Sequence, residues 1–420
     1  MTGLLFAIFV LALILAVPIA FAILLASIGV LAVGDIPLVV VPQRMFASID
    51  SFPLVAVPFF IFAGDLLARG MLSKRLVEFA DSMVGQIRGG LSIVSVAASM
   101  LFASMSGSGA ATTAVTGTIL IPRLKERGYK VEASAALIAA AGTIGVVFPP
   151  SVPMVLYAVI TEQSVGGLFR NGFIPGTLMG LTLMGIALAE AYKLNYPKGS
   201  KFSIRNLLST FAKAFFGLLM PVILLGGIFS GFFTPSEAAV VSVVYAAAAS
   251  KLIYNDLNLK ELYRIMVQSA RTTSIILIII ACSGAFGWVL ANWRIPQQFA
   301  DMMLSFSQNP YIIMLLIAVI ILIFGLFMEP ASAIIIMTPV FLPLVISLGI
   351  DLIHFGLVIV VGNAIGKILP PVAINLFVAS SITGVPIEKI SRSVVPYIIG
   401  LVIIFMLVLF GPMFFPRLIL

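Results

Sequence analysis

Apolar residues in this chain do not alternate with polar ones; they come in long runs. Stretches of about 20 residues or more, with few charges, recur at 4–33, 51–71, 132–161, 171–192, 211–231, 233–254, 272–293, 353–383 and 394–416. Each is long enough to cross a roughly 30 Å hydrocarbon core as a helix. Residues 4–33 read as one long helix bent at Pro18, the alternative being two shorter helices. The alternating ten-residue segments of a membrane β-barrel are missing. The expected fold class is therefore an all-α polytopic membrane protein.

Two further apolar regions, 91–122 and 311–343, read differently. The first has 32 residues. Folded in two, it gives legs of about 15 residues, or roughly 22 Å, short of the core. Both regions are predicted to be re-entrant hairpins that enter and leave on one side. Residues 73–88 place Leu76, Phe79, Ala80, Met83, Val84 and Ile87 on one helical face, with Lys74, Arg75, Glu78, Asp81 and Arg88 away from it. That pattern predicts an amphipathic helix at the membrane interface, and residues 256–270 look similar.

Composition agrees with a bilayer. Of 420 residues, 61% are hydrophobic and 10% charged, against about 25% charged in a soluble domain. The net charge of +8 does not point to nucleic acid, because Lys and Arg of membrane proteins gather in cytoplasmic loops. Nineteen of the 24 fall in 69–90, 123–130, 193–213, 251–271 and 389–392. Arg44, Arg170, Arg294 and Arg417 fall on the opposite side, and Lys367 lies inside a span. This split orients the chain and requires that both hairpins return to the side they came from. One Cys and one His, Cys282 and His354, exclude an intrachain disulfide and argue against a zinc or haem site. His354, at a span start, reads as interfacial. No cleavable signal peptide is expected, since no basic segment precedes 3–33.

The chain also repeats itself. "FADSM" at 79–83 matches "FADMM" at 299–303, and Pro122 matches Pro343. Gly145, Pro149 and Pro150 match Gly366, Pro370 and Pro371 at the same spacing of 221. The tip "MSGSGAAT" then corresponds to "FMEPASAI". The orientation places the two copies on opposite faces, so the repeat is inverted. Inverted repeats with broken helices point to a secondary transporter whose site lies near the midplane.

Broken backbone at membrane depth is tolerated only when buried or facing a water-filled cavity. Pro149-Pro150 lacks two N–H donors, which frees carbonyls one turn earlier, and Ser hydroxyls stand nearby in sequence. These hard oxygen ligands suit Na⁺. One Na⁺ site is expected among Ser106, Ser108, Gly145, Phe148 and Pro150, and a second among Met328, Gly366, Leu369 and Pro371. Close helix packing by small residues would also explain "SGSGAATTA", but not two Pro-Pro breaks in register. Intramembrane ionisable residues point to function. Lys367 is expected to attract an anionic substrate, with Asn363, Asn375 and Ser108 as polar neighbours; the alternative is a structural pair with Glu329. Glu237 in "TPSE" reads as a helix cap, and Asp65 as either a scaffold hydrogen-bonder or a relay.

"MSGSGAATTA", "GVVFPPSVPMVLY", "FFTPSEAAVV" and "LPPVAINLFVASS" together resemble the large membrane subunit of TRAP (tripartite ATP-independent periplasmic) transporters, across essentially the whole chain. The resemblance implies an elevator mechanism driven by Na⁺ as coupling ion, with no other cofactor. It implies uptake of an organic acid anion, a sialic acid-like sugar acid or a C4-dicarboxylate, through a bacterial inner membrane. The implied partners are a periplasmic substrate-binding protein and a small four-helix membrane subunit, expected as a separate chain. On this reading 91–161 and 311–383 form the transport unit. Residues 1–72, 162–255 and 384–420 form the scaffold, and 73–90 and 256–310 the arms with a connecting helix. Many relatives are expected to carry an apolar residue where Lys367 stands, so Lys367 would mark a substrate subgroup. A channel, an intramembrane protease and an Na⁺-coupled carrier that needs no binding protein are the rival readings. The protease lacks a second intramembrane Asp or a placed His.

Overall fold

A computed structural model describes residues 1–68, 71–84, 86–198 and 202–414. Arg69, Lys201 and Arg417, and the ends of the spans 51–71 and 394–416, lie outside the described residues. Among the described residues the chain is helical and has no β-strand. Eight helices are long and apolar enough to cross a membrane, or nine if a bent pair counts as one span.

The chain opens with α1 (Thr2–Ile14) and α2 (Ile19–Val33). They are two helices, not the single bent helix expected of 4–33. Ala16 adopts φ 56°, a left-handed helix stop, and Pro18 cannot continue the helix it follows. The chain folds back, and Ile8 packs against Gly29. Next comes α3 (Val40–Ile49), which was not anticipated, and then a 3₁₀ turn leading into α4 (Ala56–Ala68). These two meet at 67°. Arg44 on α3 sits over the Trp288 ring at 5.6 Å.

The expected amphipathic helix is α5 (Met71–Val84). Its buried face is Leu72, Leu76, Val77 and Ala80, while Met83 is exposed. It packs between α6 (Gly90–Ser106) and a later helix, α12. The predicted face is therefore rotated by about one residue, because a neighbouring helix rather than lipid receives it.

Hairpin 1 consists of α6 and α7 (Gly109–Glu126) around the tip Gly107-Ser108. Its legs are held together by polar contacts, such as Ser99 Oγ to Thr116 Oγ1 at 3.3 Å. The broken helix follows as α8 (Val131–Gly142), a single turn α9 (Ile144–Val147), a gap around the cis Pro149–Pro150 bond, and α10 (Val152–Thr161). Three long helices come next: α11 (Val165–Lys193), α12 (Ile204–Phe229) and α13 (Pro235–Ala248), the last closing in a π turn. A capping box starts α13: Thr234 N donates to Glu237 Oε2 at 2.8 Å while Thr234 Oγ1 receives Glu237 N. Glu237 thus caps, as its motif predicts.

The second amphipathic stretch and the span after it are one helix, α14 (Leu259–Asn292). No Gly or Pro lies between 259 and 283 to interrupt it, so 256–270 is no separate arm helix. After α15 (Ile295–Phe306), hairpin 2 is α16 (Pro310–Phe327) and α17 (Pro330–Ser347). The second broken helix is α18 (Leu352–Gly366), a gap with cis Pro370–Pro371, and α19 (Ile374–Thr383); α20 (Ile387–Phe414) ends the described chain.

The hairpin legs have 17 or 18 residues, roughly 26 Å each and longer than the sequence suggested. Length therefore does not make them re-entrant; the position of their tips does. A Cβ placed on Gly107 would lie 3.1 Å from the Pro150 carbonyl oxygen and 3.4 Å from Val152 N. Those atoms lie in the middle of 131–161, so the tip stops at mid-span.

The repeats interlock. The post-break helix α10 packs on α17 of the other repeat, and α19 packs on α7 and α8. Asn375 on α19 donates to the Ala139 carbonyl at 3.1 Å. With no hydrophobic driving force between helices in lipid, such contacts depend on close approach and interhelical hydrogen bonds. His354 is buried at the start of α18, with Nε2 2.9 Å from the Val408 carbonyl, and so joins α18 to α20.

Candidate functional site

The tip of hairpin 1 is built by local chemistry. Gly107 adopts φ 59° at the end of α6, a conformation that costs Gly little. Ser108 then caps α7, its Oγ accepting from Ala111 N. Hydroxyls crowd the turn: Ser106 Oγ is 2.9 Å from Thr112 Oγ1, and Thr112 Oγ1 donates to the Ser108 carbonyl at 2.8 Å. Gly145 faces this turn so closely that a Cβ there would lie 2.7 Å from Ser108 O. Ser106, Ser108, Gly145 and the Pro150 backbone are therefore together. Phe148 joins them only through its backbone, since its ring packs on Phe173 and against Gly176. Ser151 caps α10 and donates to the Val146 carbonyl.

The second tip reaches its own break by a different contact. Gly366 lies against Gly325, so a Cβ on Gly366 would be 2.5 Å from the Gly325 carbonyl oxygen. Helix ends set the register here: Ser106 aligns with Phe327 and Ser108 with Glu329. This is one residue off the expected match of "MSGSGAAT" to "FMEPASAI", and it restores the spacing of 221 seen at the breaks. Glu329 caps α17, with Oε2 accepting from Ala331 N at 3.0 Å. Its other oxygen lies 3.6 Å from Lys367 Nζ. Met328 is buried at the turn, and Leu369 N donates to the Gly366 carbonyl at 3.2 Å. Past Pro371, Ala373 adopts φ 40°, and Asn375 N donates to the Lys367 carbonyl at 3.1 Å.

Both tips and both breaks open on one cavity of about 410 Å³. Ser106, Ser108, Val146 and Val152 line it from the first repeat, and Glu329, Ala331 and Lys367 from the second. Gly64 and Asp65 of α4 and Gln268 and Thr272 of α14 also line it, and Gly64 packs directly against the Ser106 backbone. Asp65 Oδ2 accepts a hydrogen bond from Ser269 Oγ at 2.6 Å, which ties α4 to α14. Of the residues read from sequence, Asp65, Ser106, Ser108, Glu329 and Lys367 line the cavity. Gly145, Pro150, Met328 and Gly366 are buried and do not line it, whereas Leu369 is half-buried and Pro371 exposed, outside its lining.

Asn363 and Asn375 are fully buried, and each has an Oδ1 without a hydrogen-bond partner. A buried amide oxygen normally finds a donor, so these two are available to a ligand that supplies positive charge. Sequence reasoning missed Gln268 and Thr272. They lie four apart in the polar first half of α14, among Arg264, Ser269, Arg271 and Thr273, so nothing in the sequence set them apart. Among the described residues no group of three or more His, Cys, Asp or Glu could hold a metal; at the tip of hairpin 1 the oxygens on offer are carbonyls and hydroxyls.

Comparison with known proteins places this geometry. The family model described as "Tripartite ATP-independent periplasmic transporter, DctM component" matches residues 6–414. The C4-dicarboxylate TRAP transporter large permease protein DctM of Pseudomonas aeruginosa is 41% identical, over 88% of this chain and 86% of its own length. The isethionate TRAP transporter permease protein DctMQ of Oleidesulfovibrio alaskensis is 40% identical over 97% of this chain. This chain spans 65% of the length of that relative. The sialic acid TRAP transporter large permease protein SiaM of Vibrio cholerae is 37% identical, over 89% of this chain and 87% of its own. Among solved structures, the crystal structure of the Alcanivorax borkumensis YdaH transporter, described as having an unusual topology, superposes with a TM-score of 0.67. It is 17% identical, covers 89% of this chain and 88% of that one, and shows a shared fold. The relatives are transporter permeases and not enzymes, and this multi-pass membrane chain belongs to the DctM family, the large permease component of TRAP transporters.

Proposed function

We propose that this chain carries an organic acid anion and Na⁺ together across a bacterial inner membrane by an elevator mechanism. The observation that carries the reading is the convergence of two hairpin tips and two broken helices on one cavity. Ser106, Ser108, Gly145, Phe148 and Pro150 supply oxygens for one Na⁺. Met328, Gly366, Leu369 and Pro371 supply backbone for a second, with the unpartnered Oδ1 of Asn363 on the helix that leads into that break, whereas the Asn375 amide reaches Ala139 of the first repeat. Acids and a base, Asp65, Glu329 and Lys367, share the cavity wall. An anion carried together with a cation enters such a low-dielectric site at less cost than an anion alone, because charges there interact strongly.

Residues 91–161 and 311–383 form the moving unit. We place α11 and α20 with it rather than with the scaffold, since both pack along the broken helices. Helices α4 and α14, which line the same cavity and pack on α13 and on α2 and α3, belong to the fixed wall. The partners are a small membrane subunit and a periplasmic binding protein that delivers the substrate. The named substrates of the relatives, isethionate, C4-dicarboxylates and sialic acid, are all anions, and this chain takes a member of that class.

The test is uptake into proteoliposomes that hold this chain with its small subunit, with binding protein outside. Saturable uptake of one of these anions under an inward Na⁺ gradient is expected, with a loss of tenfold or more when K⁺ replaces Na⁺. Equal uptake in K⁺ would remove the coupling.

A further inference from the structure

We propose that Glu329 is a built-in counter-ion of Lys367, which the transported anion displaces on binding. The inference rests on the reading that this cavity takes an organic anion. Lys367 is 3% exposed and Glu329 52% exposed. The lysine is anchored at the end of α18, where its carbonyl accepts from Asn375 N. The glutamate is half exposed and is held through Oε2, which accepts from Ala331 N at 3.0 Å. Its Oε1 is therefore the part of the pair that an incoming anion replaces, while Lys367 stays in place.

The contact has room for exchange. An ammonium offers three N–H donors, yet the facing carboxylate oxygen is 3.6 Å away, beyond the 2.7–3.2 Å of an ordinary hydrogen bond. A buried ammonium at membrane depth requires a counter-charge. Glu329 supplies it in the empty cavity, and a carboxylate or sulfonate of the substrate supplies it in the loaded one. Displacement also frees a carboxylate at the tip of hairpin 2, which adds negative charge where a cation would sit.

The device belongs to one repeat only. In the register of the helix ends, Ser108 stands where Glu329 does and Val146 where Lys367 does. The anionic group of the substrate therefore points toward hairpin 2, and its neutral part toward the hydroxyls of hairpin 1.

The experiment compares the half-saturating concentrations of isethionate, succinate and N-acetylneuraminate for the assembled transporter in proteoliposomes. Glu329→Gln keeps a carbonyl to cap α17 and removes the competing charge. It is expected to lower the half-saturating concentration about threefold or more for the anion that is carried. Lys367→Met should raise it tenfold or more, and adding Glu329→Gln to Lys367→Met should change nothing further. Glu329→Asp, which withdraws the carboxylate by one methylene, should give a smaller decrease and serves if the Gln variant does not insert. An unchanged or raised value in both Glu329 variants, with Na⁺-driven uptake intact, overturns the exchange and leaves the transport function standing. A wild-type protein that carries none of the three anions would count against that function itself, and the exchange would fall with it.

Discussion

The two repeats reach the same place with different materials. In the first, hairpin and break meet through hydroxyls and backbone carbonyls: Ser106, Thr112 and Ser108 bond one another, and Ser151 caps the outgoing helix. In the second, the corresponding positions are Phe327, Ala333, Glu329 and Val372, and the contact is glycine on glycine with an ion pair above it. One pocket is neutral and rich in oxygen; the other is apolar and charged. A duplicated backbone has thus kept its shape while its side chains have diverged. Shape is held by the breaks and tips, and ligand chemistry by the few residues that face the cavity.

The sharpest way to break the comparison is to fill the glycine contact. Gly366→Val should abolish uptake and lower stability by at least about 1–3 kcal/mol, since the nearest atoms are Gly325 backbone that cannot turn aside. Gly145→Ala should do less harm, because one of its two close neighbours is the movable Thr112 hydroxyl. Equal loss in thermal unfolding for the two variants would show that both junctions are equally rigid. A smaller effect is expected from Ser106→Ala with Ser108→Ala, which removes the hydroxyls peculiar to repeat one. The half-saturating Na⁺ concentration should rise several-fold, and an unchanged Na⁺ titration would place the first cation elsewhere. The mildest test concerns the link between repeats. Asn375→Ala removes the bond to Ala139, worth about 0.5–1.5 kcal/mol, and should lower the unfolding temperature by a few degrees. No shift would mean that α19 is held on α8 by packing alone.

Much of this was legible in the chain. Run length announced the spans, the Pro-Pro pairs marked both breaks, and constant spacing revealed the duplication. What misled was local. The stretch 4–33 has enough apolar residues for one long helix, and only the left-handed Ala16 before Pro18 turns it into two. The polar-apolar face of 256–270 resembled a separate surface helix, yet nothing in its sequence interrupts α14. The face of α5 shifted because a protein neighbour took the place assigned to lipid.

The sequence by itself determined where the backbone could not stay helical. Proline, glycine and capping residues act on their own few neighbours, and no distant contact can restore a missing N–H. The tertiary structure alone decided which of these weak points meet. The crossing of α10 onto α17 and of α19 onto α7, and the gathering of Asp65, Gln268 and Lys367 on one cavity, join residues far apart in the chain. Close approach of small residues in lipid sets those meetings, and it leaves no periodic mark in a single sequence.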